Sequence, residues 1–166
     1  RNLLITEFGK NYGTYFSILS EIANGHYTQG EIESALGGTA IGGYLSKLEN
    51  VYNLITRERP IFAKPGTKKN VRYVIGDNFL NFWFKYIEQN RSYIELQNFD
   101  DLRQLAKADY PTYSGRVLEK YFKQKLAETG GFKEIGSWWE TKSSIGKQRI
   151  NSYEIDIVAL KSSGKK

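Results

Sequence analysis

Tyr27-Thr28-Gln29-Gly30-Glu31-Ile32-Glu33-Ser34-Ala35-Leu36-Gly37-Gly38 is the stretch on which the fold turns. Thr28 can accept from the amides of a new helix while Glu31, three residues on, returns the bond to the backbone of Thr28, the reciprocal pattern of a capping box. Tyr27 and Ile32 flank it at the positions of a hydrophobic staple, and the glycine pair Gly37-Gly38 stops the helix after Leu36. Before this stretch, Tyr15, Ile18, Leu19 and Ile22 recur at helical spacing over residues 12 to 23, with Gly25 as the stop. After it, a third helix is expected from about Thr39, turning Ile41, Leu45, Leu48 and Val51 or Tyr52 inward. Two short helices across a glycine turn make a helix-turn-helix.

The period then changes to two. Leu54-Ile55-Thr56-Arg57, Ile61-Phe62-Ala63 and Val71-Arg72-Tyr73-Val74-Ile75 read as strands, with residues 64 to 70 as a loop. Helix, helix, helix, hairpin is the order of a winged helix-turn-helix, expected over residues 8 to 77. The outer face of its third helix offers Tyr44 and Lys47 but few other donors, whereas Lys64, Lys68, Lys69 and Arg72 crowd the wing. These six are the candidate DNA-binding residues, since phosphate contacts come from clustered cations. The bland alternative for the wing is a solvated loop.

Residues 78 to 109 are expected to form linking helices. Asp77 is a cap, and Leu80, Trp83, Phe84, Ile87 and Ile94 form an apolar stripe flanked by Phe79, Phe82 and Tyr86. A core role outweighs a base-stacking one for so many aromatics. A further helix spans residues 100 to 108, and Pro111 marks a new start.

From residue 110 the chain reads as an α/β segment. A helix over residues 114 to 126 ends near Gly130-Gly131, and two strands follow over residues 134 to 140 and 152 to 160. On the helix, Glu119 shares a face with Phe122 and Leu126, so a carboxylate stands beside an apolar stripe. On the second strand, Glu154 and Asp156 alternate onto one face, opposite Ile155, Ile157 and Ala159. Neighbouring carboxylates repel unless a cation lies between them, either a hard divalent ion or the ammonium or guanidinium of a structural ion pair.

The run Gly115-Arg116-Val117-Leu118-Glu119, the strand Ile135-Gly136-Ser137-Trp138-Trp139 and the strand Glu154-Ile155-Asp156-Ile157-Val158-Ala159 resemble the C-terminal region of archaeal-type AAA ATPases. In that family a nucleotide-binding module precedes a winged helix and an uncharacterised domain similar to the PD-(D/E)XK nucleases. The resemblance implies a mixed α/β (α+β) fold class, with Glu119, Glu154 and Asp156 as catalytic acids and Glu119 and Asp156 as ligands of magnesium. It also implies DNA and the ATPase module of the same polypeptide as partners, with ATP bound only in that module. No Glu-x-Lys strand follows Leu160, so the segment is expected to be truncated and the fragment inactive. No phosphate-cradling Gly-x-x-x-x-Gly-Lys-Ser/Thr loop occurs, which excludes ATP hydrolysis by this stretch.

Composition sets the outer limits. Lys and Arg number 24 against 18 acidic residues in 166, a net charge of +6 that favours polyanions. Without cysteine there is no disulfide or thiolate zinc site, and the lone His26 cannot anchor a multi-histidine centre. No run approaches the roughly eighteen apolar residues of a membrane span. A soluble, cytoplasmic protein is expected, without a membrane partner, its oligomeric state open. The opening at Arg1 and the absence of Met lead us to expect a piece of a longer protein. Three classes stay open: a DNA-binding effector arm of an ATPase, a docking module that uses the aromatic helix and Trp138 or Trp139, and a winged-helix regulator.

Overall fold

The computed structural model describes residues 1–64, 70–140 and 153–162, with the backbone of 144–145 and 148–149. It divides into two compact units. The first comprises residues 1–58 and 71–108, and the second residues 59–70 and 109–166. The fold is mixed α+β with small antiparallel sheets.

In the first unit, α1 (Asn2–Phe8) and α2 (Tyr12–Asn24) lead into α3 (Gln29–Ala35) and α4 (Gly42–Asn50). The capping box forms as its residues dictate: Glu31 N–H donates to Thr28 Oγ1 at 3.3 Å, and Thr28 N–H donates to Glu31 Oε2 at 3.0 Å. Gly25, at φ 103°, ends α2 in the left-handed region that glycine enters without steric penalty. Strands β1 (Ile55–Glu58) and β2 (Arg72–Ile75) pair antiparallel with Ile55 opposite Ile75. Tyr15, Ile18, Leu19, Ile22, Ile32, Ile41, Leu45, Leu48 and Ile55 are buried in one core, so the apolar faces of the helices and of β1 converge as their periods predict. Of the two alternatives after Leu48, Tyr52 turns inward and packs edge-on to Phe8 at 4.9 Å, while Val51 is 65% exposed.

The segment after the wing is less regular than a single long helix. Asp77 caps α5 (Asn78–Phe82) by accepting from Leu80 N–H at 2.7 Å. A π-helical turn over Trp83–Glu88 follows, and then α6 (Arg91–Glu95). Phe84 of the expected stripe and Tyr86 beside it are buried, while Phe79, expected among the packed aromatics, is 73% exposed. α7 (Phe99–Thr129) runs through Pro111, where a new helix was expected. Proline removes one N–H donor, which frees the carbonyl of Lys107, and the exposed surroundings let water satisfy that oxygen.

In the second unit, the later part of α7 precedes β3 (Phe132–Trp139), which pairs antiparallel with β6 (Glu154–Lys161). A short hairpin, β4 (Ser144–Ile145) with β5 (Gln148–Arg149), lies within the connection. Gly130 and Gly131 at φ 71° and 80° reverse the chain after α7. The expected wing strand Ile61-Phe62-Ala63 is not a strand: Ile61 and Phe62 form a turn. Ile61 is buried, its side chain lies 3.6 Å from the site of a Cβ on Gly136, and its N–H donates to the Ser137 carbonyl at 2.7 Å. A hydrophobic contact in the second unit outweighs the strand preference of this tripeptide.

Candidate functional site

Register shifts on either side of the Ile135-Gly136 pair mark bulges in β3, a device that re-aims a side chain. Next to the second of them, Ser137 is 7% exposed and is the buried polar residue of the described core. Its hydroxyl donates to the Asp156 carbonyl at 2.9 Å and lies 3.3 Å from Glu119 Oε1. From α7, the Lys123 ammonium donates to Glu119 Oε1 and to Ser137 Oγ, each at 2.5 Å. Glu119 precedes Lys123 by four residues, the favourable order for an ion pair on a helix.

This geometry limits the chemistry. Lys123 Nζ donates to the Ser137 hydroxyl rather than accepting from it, so in this arrangement the lysine is not placed as the base of a serine nucleophile. What remains is a cation held by two oxygens, with a third N–H that has no protein partner among the described residues. The cluster ties α7 to β3 and, through Ser137, to the backbone of β6, with the Lys123 charge paired to Glu119.

The expected site residues come together only in part. Glu119 reaches the strand, but it meets Asp156 at the backbone carbonyl through Ser137, while the Asp156 side chain is exposed. Glu154 is exposed on β6, opposite Trp139 in the register. Among the described residues, no three Asp, Glu, His or Cys side chains gather where they could hold a metal ion. The Lys123 ammonium takes the place beside Glu119 that a cation would need, so as arranged these residues do not fit magnesium. Lys123 and Ser137 were missed from sequence, although the i, i+4 spacing from Glu119 was a legible sign for the lysine.

The candidate DNA contacts separate as well. Lys47 is exposed near the end of α4, and Lys64 is exposed in the second unit. Tyr44, expected on the outer face, packs instead on Tyr15 with ring centroids 5.1 Å apart, because its helical phase brings it against α2. Arg72 is half-buried on β2, opposite Glu58 in the register. Lys68 and Lys69 lie outside the described residues.

A further polar device positions α4. Glu33 Oε1 accepts from Ile41 N–H at 3.1 Å and from the Gln29 side-chain amide at 2.8 Å, so an acid in α3 satisfies an amide at the start of the next helix. The Gln29 amide first, then the Ile41 N–H, favour the ionised form and hold the Glu33 carboxyl below its ordinary value. A depressed carboxylate pKa contributes stability above the unfolded value, and that contribution is lost as pH falls through the folded one. The thermal midpoint should therefore fall more steeply below about pH 4.3 in the parent chain than in Glu33→Gln. Superimposable acid limbs would remove this role for Glu33.

The architecture defines a class: an α+β protein with a helical unit closed by a two-stranded sheet, followed by a unit built on a long helix and an antiparallel strand pair. The chain belongs to the DUF234 family, described as archaeal and bacterial proteins of unknown function, whose model matches residues 83–166. It is also similar to an uncharacterized protein of Methanocaldococcus jannaschii, 38% identical over 162 residues that cover 92% of this chain and 34% of the relative. The chain thus spans about a third of the length of that relative. No solved structure matches it. No helix among the described residues is long and apolar enough to cross a membrane.

Proposed function

We propose that this chain is a DNA-associated region of a longer, ATPase-type protein, and that it binds without cutting. The observation that carries the reading is the pairing, in a chain of net charge +6, of a helical unit in the element order of a winged helix-turn-helix with a unit in which Ser137 of β3 links the helix acid Glu119 to the backbone of β6. Such a fold also serves other roles, and it is the basic charge and the arrangement at Glu119, more than the architecture, that favour DNA here. Lys123 neutralises Glu119 and leaves a cation where a water-activating metal would need carboxylates, which favours binding over hydrolysis. The ATPase module belongs to the reading through the sequence resemblance, and the relative, of which the chain spans 34%, has the length to hold a further module.

Fluorescence anisotropy of the chain with duplex DNA of unrelated sequences, between 50 and 200 mM salt, tests this directly. The logarithm of affinity should fall linearly with the logarithm of salt, by about 0.9 for each phosphate neutralised, and vary little with sequence. The DNA should remain intact with magnesium present. Salt-independent or absent binding would sink the reading, and magnesium-dependent cleavage would overturn its non-cutting half.

A second reading has its own observation. Leu118, Tyr121 and Phe122 on α7 are exposed, and large exposed apolar faces often mark protein contacts. Under that reading the second unit docks on the ATPase module, and DNA affinity is absent.

A further inference from the structure

Charge is divided very unevenly between the two units. The winged-helix unit contains nine basic and eleven acidic residues, a net −2, and the second unit fifteen and seven, a net +8, which together give the chain's +6. Segment 59–70 accounts for much of this difference, with four basic residues and no acidic one, and it belongs to the second unit through Ile61. In the winged-helix unit the arginines are already engaged. Arg1 pairs with Glu88, Arg57 with Glu49, Arg91 with Glu95 and Arg103 with Asp100. Its α4 helix offers Lys47 as a lone cation.

The second unit differs. Arg59, Lys64, Lys133 and Lys161 are exposed and enter no ion pair among the described residues. Arg59 and Lys64 stand two residues before and three after Ile61, which is anchored on Gly136. Lys133 precedes Gly136 by three residues on β3, about 10 Å at the rise of a strand. Lys161 faces Phe132, the neighbour of Lys133, in the register. Backbone spans of that order exceed the screening length of about 8 Å at physiological salt, so each of these exposed cations would meet its phosphate locally, as separate contacts that add to the salt dependence.

We infer that the DNA-contacting surface lies on the second unit, on the wing segment flanking Ile61 and the Lys133/Lys161 end of β3 and β6, and not on the outer face of α4. The inference rests on the reading of the chain as DNA-associated. In a usual winged helix the groove-facing helix and a free wing share the phosphate contacts. Here the wing segment is anchored to β3, and the net-acidic unit supplies no long-range attraction for a phosphate backbone.

Three double variants of the whole chain, each titrated with one duplex across a salt series, separate the possibilities. Arg59→Ala/Lys64→Ala and Lys133→Ala/Lys161→Ala should each lower the log–log salt slope by about 2 and weaken binding about tenfold or more at 100 mM salt. Lys10→Ala/Lys47→Ala, in the winged-helix unit, should leave the slope unchanged. The reverse pattern would overturn the placement while leaving DNA association standing. No salt-dependent binding by the parent chain would overturn both. Equal competition by polyglutamate of matched charge would replace DNA with an acidic polypeptide as the partner.

Discussion

Phe84→Ala is expected to destabilise the first unit by about 3–5 kcal/mol, the range for deleting a buried phenyl ring when its surroundings relax only partly. Phe84 is 0% exposed and sits in the π-helical turn. Its ring meets Phe16 of α2 at 5.4 Å and Trp83 at 4.9 Å, both edge-on, the arrangement that the ring quadrupoles favour. The ring thus fastens the segment after the wing to the first long helix of the unit. Domains of this size have about 5–15 kcal/mol in all, so the loss would bring the unit near its unfolding threshold. Urea unfolding followed by tryptophan fluorescence measures it. Phe79→Ala is the control, because Phe79 is 73% exposed and its removal should stay within about 0.5 kcal/mol. Equal effects of the two substitutions would mean that the Phe84 ring does not fasten this segment to the core.

Lys123→Met is expected to cost about 1–2 kcal/mol, the second largest effect among these predictions. It leaves the Glu119 carboxylate without its cation and Ser137 Oγ without a donor. Both partners retain some solvent access, with side-chain exposures of 22% and 27%, so screening holds the cost below that of a fully buried pair. Adding Glu119→Gln should recover part of the loss, since an amide tolerates the apolar neighbour better than an unpaired carboxylate does. A double-mutant cycle reads this coupling. Zero coupling would show that the helix is held to the strands by packing alone, and that Lys123 is free to serve another partner.

These two residues also mark the limit of what the sequence disclosed. Glu119 was legible because it interrupts an apolar stripe at helical spacing. Its partner was not named, because helical spacing says which residues can meet but not which ion they meet. The acids of β6 illustrate the same limit. Alternation places Glu154 and Asp156 on one face, yet whether that face turns toward Glu119 depends on the register with β3 and its bulges. The structure brings the backbone of Asp156 to Ser137 and leaves its carboxylate exposed.

Elements whose information is local were determined by the sequence itself. The capping box at Thr28 and Glu31, the stop at Gly25 and the periods of α2 and α4 involve residues within a turn or two of one another, and their hydrogen bonds and apolar stripes leave few other conformations. Tertiary structure alone decided the rest. Ile61 left the wing strand because Gly136 and Ser137, far along the chain, offered burial and a hydrogen bond. α7 passed through Pro111, though local rules would end it there, and of the aromatics expected to pack around the stripe Phe79 was left exposed, while Phe84 of the stripe itself was buried as its spacing predicts. The basic excess was plain in the composition, but its separation into a net −2 and a net +8 unit became visible only once a twelve-residue segment was seen to belong with strands far from it in sequence. Local hydrogen bonds fix elements, whereas long-range burial chooses which elements share a surface, and hence where the charge lies.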